Sequence, residues 1–502
     1  MFRARRRQPR KRLSARGGAL RRRRRPSAPD GSPPDEEPLM SRPFPDDPFL
    51  RGNYAPFPLE GEIHDCVVEG EVPRELDGTL YRNGPNPQFA PRARYHWFDG
   101  DGMIHAFVFR NGRVTYRNRW VRTARFSLER AAGEALFGGL ADMAKTDVRA
   151  AATSPNAANT NIVFHAGRLL ALWEGGLPHV LDPRTLETIG PFDFHGKLVG
   201  PMTAHPKIDP ETGEMLFFGY SFTPPFLRYH VVAKDGTLLR SEEIEVAVPT
   251  MMHDFITTRE HVIFLVCPAT LRLENIEKTG SPLGWEPELG TRIGVMPRSG
   301  GSRDILWFEA NPCYVFHPMN AYSERGRIIA DVCRYPRLPL FDAGDRADGM
   351  EDLKAKLTRF TLDLAGGTVK EEALDDLSTE FPRLDERRSG LSYRHGYAGG
   401  LVPTPSKASG FNAIAHYDLQ AGRRRMHVVP EADAVGEPIF VPRTPTSPEG
   451  EGFLLAVVYR GSERRSDLVI LDAENVEGEP LAKVRLPHRV PFGFHGNFAP
   501  GI

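Results

Sequence analysis

The sequence predicts an all-β chain built as a β-propeller, and three observations carry that expectation. Short apolar stretches recur every few tens of residues, each closed by a Gly, Pro or Asn-Gly turn. The chain holds 48 glycines and 45 prolines in 502 residues, a composition suited to a backbone that turns constantly. Four histidines far apart in sequence each sit at a Pro- or Gly-punctuated turn beside an apolar strand. Loops at one face of a propeller point towards its axis, where such distant residues can meet.

Residues 1–44 read as a disordered Arg/Pro-rich extension, with Met40 an alternative start, and 45–502 as a single catalytic propeller domain. The first forty residues hold thirteen Lys/Arg against four Asp/Glu, including the run Arg21 to Arg25. That leaves 52 basic and 61 acidic groups for the rest, a mildly acidic body with no expected nucleic-acid partner. The apolar core of a secretory signal is missing from the Arg-rich stretch, and no apolar run reaches the 18 or so residues a membrane span needs. Cys66, Cys267, Cys313 and Cys333 show no framework spacing and fit buried thiols of a cytoplasmic protein.

From Glu60 the strands follow one another. Two glycine turns lie within Leu76-Asp-Gly-Thr-Leu-Tyr-Arg-Asn-Gly-Pro. Asp99-Gly-Asp-Gly-Met-Ile-His-Ala-Phe-Val-Phe-Arg-Asn-Gly-Arg-Val-Thr-Tyr gives a tight turn, a strand, an Asn-Gly hairpin and a second strand. Arg168-Leu-Leu-Ala-Leu, Glu214-Met-Leu-Phe-Phe, His261-Val-Ile-Phe-Leu-Val, Arg327-Ile-Ile-Ala-Asp-Val, Leu357-Thr-Arg-Phe-Thr-Leu and Phe453-Leu-Leu-Ala-Val-Val continue the series. Two stretches read as helices, Phe126 to Lys145 and a short polar one from Met350 to Leu357. The first either caps the propeller face or lies on a membrane surface.

The four histidines are His205 in Pro-Met-Thr-Ala-His-Pro, His253 in Thr-Met-Met-His-Asp-Phe, His317 in Tyr-Val-Phe-His-Pro, and His495 in Phe-Gly-Phe-His-Gly near the C-terminus. An isolated histidine among apolar residues is ordinarily a hydrogen-bonded core residue, but four in one setting point to a shared metal. Their spacing excludes a helix-borne His-Glu-x-x-His site. Neutral imidazoles suit Zn, Cu, Fe or Ni, and ligating rings usually donate their second N–H to a carboxylate or carbonyl. Glu174, Glu380 and Glu437 stand in apolar surroundings, each either a turn glutamate or such a partner.

These histidine segments, together with Phe98-Asp-Gly-Asp-Gly-Met, Glu380-Phe-Pro-Arg-Leu-Asp and Glu437-Pro-Ile-Phe-Val-Pro, resemble the carotenoid cleavage oxygenase family over about residues 45 to 502. The resemblance implies a seven-bladed propeller with a helical and loop cap over one axial Fe(II) per protein. His205, His253, His317 and His495 would be its ligands, and Glu174, Glu380 and Glu437 would hydrogen-bond three of them. The family uses O2 to split a C=C bond of a conjugated polyene or stilbenoid into aldehydes or ketones, in an apolar tunnel. Trp173, Phe222, Phe316, Phe492 and Phe494 are candidate tunnel linings, although the phenylalanines equally suit a propeller core.

Stilbenoid-cleaving relatives are expected to carry a Lys directly before the first of the three glutamates, where this sequence has Trp173. An aromatic wall in place of an ammonium favours a carotenoid or apocarotenoid. A lignostilbene-type stilbenoid is the alternative, with Tyr95 or Tyr322 reaching a ring hydroxyl. A polyene substrate also brings an expected peripheral contact with the inner membrane surface around Leu136–Met143. An interaction scaffold would hold no metal, and an isomerase of the family would hold iron without making aldehydes. The Arg- and Ala-rich composition reads as bacterial.

Overall fold

In the computed structural model, which describes residues 42–339, 354–405 and 410–502, antiparallel sheets follow one another along the sequence. Residues 1–41 and 340–353 lie outside the described residues, and with them most of the expected N-terminal extension and half of the second expected helix. Of its described half, Lys354 and Ala355 lie in no helix or strand, and Lys356 and Leu357 begin the strand Lys356–Asp363.

Four-stranded sheets run from Asn161–His165 to Thr188–Pro191, from Lys207–Ile208 to Leu238–Ile244, and from Ile256–Thr257 to Leu306–Ala310. A seven-stranded sheet then extends from Tyr314–Glu324 to Arg423–Val428 in sequence order. Its long strand Thr368–Leu384 pairs with Lys356–Asp363 mainly through its first residues, and with His395–Leu401 through its last. Divided there, the sheet is two four-stranded meanders sharing one strand.

The early and late strands interlock. The last strand, Gly496–Pro500, pairs with Gly78–Pro85 of the first sheet, Gly78 opposite Pro500 and Arg82 opposite Gly496. In turn the early strand Val67–Gly70 joins Ala482–Arg485 in the last sheet. Each sheet thus covers an edge that would otherwise be exposed, the device by which propellers close.

The core lies between sheets, not within one layer. Successive residues of a strand point to opposite faces. Leu169 and Ala171 pack against Ile104 and Ala106 of the preceding sheet, while Leu170 and Leu172 pack against Met215 and Phe217 of the following one. Leu216 and Phe218 repeat the step onto Val262 and Phe264, and Ile263 and Leu265 onto Ile328 and Val332. Further apolar clusters join Leu357 to Ala415, Ile414 to Leu454, and Leu455 to Phe107, returning to the first sheet. Strands buried on both faces read as continuous apolar runs, which is why they stand out in the sequence without polar alternation. The architecture is a β-propeller.

The expected helix over 126–145 is shorter than its pattern suggests. It spans Ala124–Ala132, capped by the Thr123 hydroxyl at its start and ended by Gly133 at φ 72°. The backbone then folds back, and the N–H groups of Leu136 and Phe137 donate to the buried carboxylate of Glu129 at 2.7 and 3.1 Å. Leu136 is fully buried and Phe137 nearly so, packed on Leu128, Ala132 and Ala150. Of the stretch Leu136–Met143, expected to touch a membrane surface, Leu136 and Phe137 are covered within the protein, and Met143 is its exposed large apolar residue. Among the described residues no helix is long and apolar enough to cross a membrane.

Candidate metal centre

Each of the four histidines stands at or near the start of an edge strand of its sheet. His205 precedes Lys207–Ile208, His253 precedes Ile256–Thr257, His495 precedes Gly496–Pro500, and His317 lies within Tyr314–Glu324. Pro318 cannot donate to the ladder, and the pairing with Arg327–Tyr335 shifts register around it, which turns His317 inward. Thr203 ties two of the loops together, its hydroxyl accepting from the His205 N–H at 3.2 Å and donating to the His253 carbonyl at 3.3 Å.

The four rings converge as the sequence predicts. One nitrogen from each of His205, His253, His317 and His495 lies within 4.8 Å of the others, and all four residues are buried. The Nε2 atoms of His205 and His253 are 3.0 Å apart. Nε2 of His317 is buried without a hydrogen-bond partner, a costly state for a ring nitrogen unless a cation takes its lone pair. Burial drives His205 well below its ordinary pKa, helped by the neighbouring rings, and lowers His317 and His495 against the pull of their glutamates. These are neutral imidazoles, the form that binds a transition metal.

Behind three of the rings stand the three glutamates. Glu437 Oε1 accepts from Nδ1 of His495 at 2.9 Å, Glu380 Oε2 from Nδ1 of His317 at 2.5 Å, and Glu174 Oε2 from Nδ1 of His253. With Nδ1 donating, Nε2 is left as the free lone pair in each ring. Burial opposes protonation of His253, but the Glu174 carboxylate outweighs it and raises that ring.

Each carboxylate is fixed by a different device. Tyr220 donates its hydroxyl to Glu174 Oε1 at 2.5 Å. The backbone N–H of Phe381 donates to Glu380 at 2.7 Å from a residue at φ 53°. Glu437 accepts from the Gly496 N–H at 2.8 Å and faces the Arg383 guanidinium at 3.3 Å. Burial pushes the Glu437 carboxyl up, but Arg383, His495 and the Gly496 N–H prevail and bring it down to about 2. The fourth ring has a carboxylate that the sequence alone did not single out. Asp254 Oδ2 lies 3.8 Å from Nδ1 of His205, beyond hydrogen-bond reach, and Lys207 grips the same aspartate at 2.8 and 3.0 Å. The signal was present, since Asp254 follows His253 directly and Lys207 comes two residues after His205.

Aromatic rings wall the centre. Phe316 meets His253 edge-on at 5.2 Å, and Phe381 stacks on His317 at 5.7 Å and meets His495 at 5.3 Å. Phe494 lies 4.5 Å from Trp97 and 5.3 Å from Phe98, and Phe98 is 6.3 Å from Phe316. The Trp97–Phe98 loop is held by Asn159, whose amide donates to the Phe98 and Gly100 carbonyls at 2.8 and 2.7 Å, and by Asp99, which accepts from the Leu140 and His96 N–H groups. Gly102 lets this loop pass Ala158, whose carbonyl oxygen would be 2.2 Å from any Cβ placed there. Trp97, Phe98 and Phe381 were not singled out as wall residues from the sequence.

The remaining candidates fall at different distances from the centre. Phe492 is buried against Tyr54 at 4.7 Å, one step outward from Phe494. Trp173 is half-buried beside Glu174, its ring folded over Gly175, and Phe222 is exposed on a surface turn. Tyr322 packs near Tyr393 at 6.4 Å, close to Arg359 and Asp331, and Tyr95 is buried beside Asp99 and Gly100. No ring contact joins either tyrosine to the four histidines among the described residues.

The protein is similar to known proteins over most of its length. A family profile described as "Retinal pigment epithelial membrane protein" matches residues 54–500. Isoeugenol monooxygenase of Pseudomonas nitroreducens is 39% identical, over 92% of this protein and all of that one. The crystal structure of a lignostilbene dioxygenase from Pseudomonas brassicacearum superposes with a TM-score of 0.87 at 34% identity, covering 92% of this protein and 100% of the other. A cobalt-substituted Synechocystis apocarotenoid oxygenase follows at 0.82 and 34%, covering 90% and 98%.

Proposed function

The protein belongs to the family of carotenoid cleavage oxygenases and the retinal pigment epithelial membrane protein, and from that premise we propose that it uses Fe(II) and O2 to cleave the ring-conjugated alkene of a hydroxylated phenylpropenoid or stilbenoid. The observation that carries this reading is the full-length likeness to an isoeugenol monooxygenase and a lignostilbene dioxygenase, whose named substrates share an alkene conjugated to an oxygenated ring. The substrate expectation drawn from Trp173 alone, a carotenoid or apocarotenoid, thereby becomes the second reading.

The four imidazoles, three of them oriented by carboxylates, fit one Fe(II) per protein. Bound there, iron supplies open coordination positions at which O2 is activated for alkene cleavage. The protein's own work is placement. Phe316, Phe494, Phe98 and Trp97 offer flat apolar faces on which an aromatic ring stacks with its alkene towards the histidines, and they keep water away. The carboxylates behind three of the rings fix their tilt, and the reaction requires no residue to move a proton.

Trp173 supports the second reading, because a tryptophan next to Glu174 offers a phenol no ammonium partner and suits a polyene. The test is anaerobic reconstitution with Fe(II), then aerobic incubation with isoeugenol, a hydroxystilbene and an apocarotenal in parallel. Isoeugenol plus O2 should give vanillin and acetaldehyde, and the hydroxystilbene two benzaldehydes, both lost in His317→Ala. A shortened polyene aldehyde from the apocarotenal alone would overturn the proposal in favour of the second reading.

A further inference from the structure

We propose that Arg82 is an anion subsite, holding one halide ion such as chloride between the first and last sheets, behind the segment that carries His495. Arg82 lies on the strand Gly78–Pro85, opposite Gly496 on one side and His105 on the other. Leu80, two residues earlier, shares an apolar cluster with Leu455 and Val457 of the last sheet, and strand alternation sends Arg82 to the same side. Three glycines receive it there. A Cβ at Gly436 would lie 2.9 Å from its Nη2, one at Gly493 3.3 Å from its Cζ, and one at Gly496 3.4 Å from its Cβ.

Arg82 is only 7% exposed, yet no hydrogen bond or ion pair joins its guanidinium to any described residue. Burial pulls the group down to about 10, which leaves it charged at neutral pH. The polar groups around it are already engaged. Glu437 spends its oxygens on Nδ1 of His495, the Gly496 N–H and Arg383. His105 bonds the Tyr116 hydroxyl at 2.7 Å, and burial keeps both neutral. A buried cation is ordinarily paired, and this one stands without a counter-charge in a niche too small for another side chain. The glycines and Val457 offer no side-chain donors that would clasp an oxyanion, so the niche suits a single-atom anion on the guanidinium alone. Of the three guanidinium nitrogens only Nε is fully sealed, so the terminal pair opens onto space that a small ion can occupy. The niche forms as the first and last sheets close on each other, which gives the ion a route that does not cross a finished core.

The experiment dialyses the full-length protein into sodium gluconate and titrates it with sodium chloride or bromide at constant ionic strength. Tm should rise saturably by about 2 °C in either halide. The rise should vanish in Arg82→Met, which removes the charge at nearly constant length. Crystals grown in bromide should show an anomalous peak on the Arg82 guanidinium. A guanidinium met only by water or protein oxygens in that map would overturn the proposal, as would an equal halide response in Arg82→Met and the wild type. If Arg82→Met folds poorly, the wild-type bromide map decides the matter.

Discussion

Buried histidines occur in two kinds of place in this molecule, and they are satisfied differently. In the sheets, His230 Nδ1 meets the Ser241 hydroxyl across the strand pair at 2.8 Å, His105 Nδ1 meets Tyr116 at 2.7 Å, and His416 meets His395 at 2.9 Å. Each bonds one neutral neighbour, and His230 also stacks on Phe217 at 4.7 Å. At the centre, three of four rings bond a carboxylate, and all four turn a nitrogen towards one point. What marks the centre is therefore neither burial nor an unpartnered nitrogen, since Nε2 of His230 has no partner either, but four rings converging on one point with carboxylates behind three of them.

The largest effect separates the two groups outright. His317→Ala should remove stoichiometric metal, measured by elemental analysis after reconstitution, while its far-UV circular dichroism stays that of the folded protein. His230→Leu should keep full metal occupancy and all product formation. Metal loss in the second variant would erase the distinction.

Acid should separate them next. Burial lowers His230 to about 4, against about 6.5 in the unfolded state. Above pH 6.5 the ring is neutral in both states and its folded environment carries no protonation penalty. Between about 6.5 and 4 the unfolded state binds a proton that the folded one refuses, so stability falls as pH falls, by up to on the order of 3 kcal/mol. Denaturant unfolding of His230→Leu at pH 7 and pH 4.5 should show a smaller acid loss than the wild type; an equal loss would mean that His230 is protonated in place.

A further step down is the carboxylate itself. Glu437→Gln keeps the size of the residue but removes the charge behind His495 and the partner of Arg383. Competition against a chelator should show metal affinity reduced by roughly 10- to 100-fold. Arg383→Met should weaken it less, since the Gly496 N–H still holds the glutamate.

These contrasts also explain what could be read from the amino-acid sequence alone. The four histidines were legible because each is a polar residue stranded in an apolar turn, whereas Glu174, Glu380 and Glu437 read equally as turn glutamates until the family resemblance singled them out. The propeller was legible because strands buried on both faces leave unbroken apolar runs, as in Phe453-Leu-Leu-Ala-Val-Val. Asp254 and Lys207 were not, because in sequence they read as ordinary charges beside a strand, and only folding removes them from water. The helix past Gly133 was overdrawn because apolar spacing in Leu136-Phe137 records burial in a loop that Glu129 holds by its backbone. Substrate choice was least legible, since rings from 97–98, 316 and 494 meet only in the closed fold, whereas Trp173 could be inspected on its own.

The smallest expected effect lies at the fourth ligand. At 3.8 Å from Nδ1 of His205, Asp254 makes no hydrogen bond to the ring, and Lys207 claims both of its oxygens. Asp254→Asn should therefore change metal affinity less than about threefold, far less than Glu437→Gln. It should instead lower Tm, because the largely buried Lys207 loses its counter-charge while the amide keeps only part of the hydrogen bonding. Affinity and Tm measured on the same sample distinguish the two roles. A loss of affinity as large as that of Glu437→Gln would mean that Asp254 closes onto His205 once metal is bound, and that the centre has four carboxylate-backed rings instead of three.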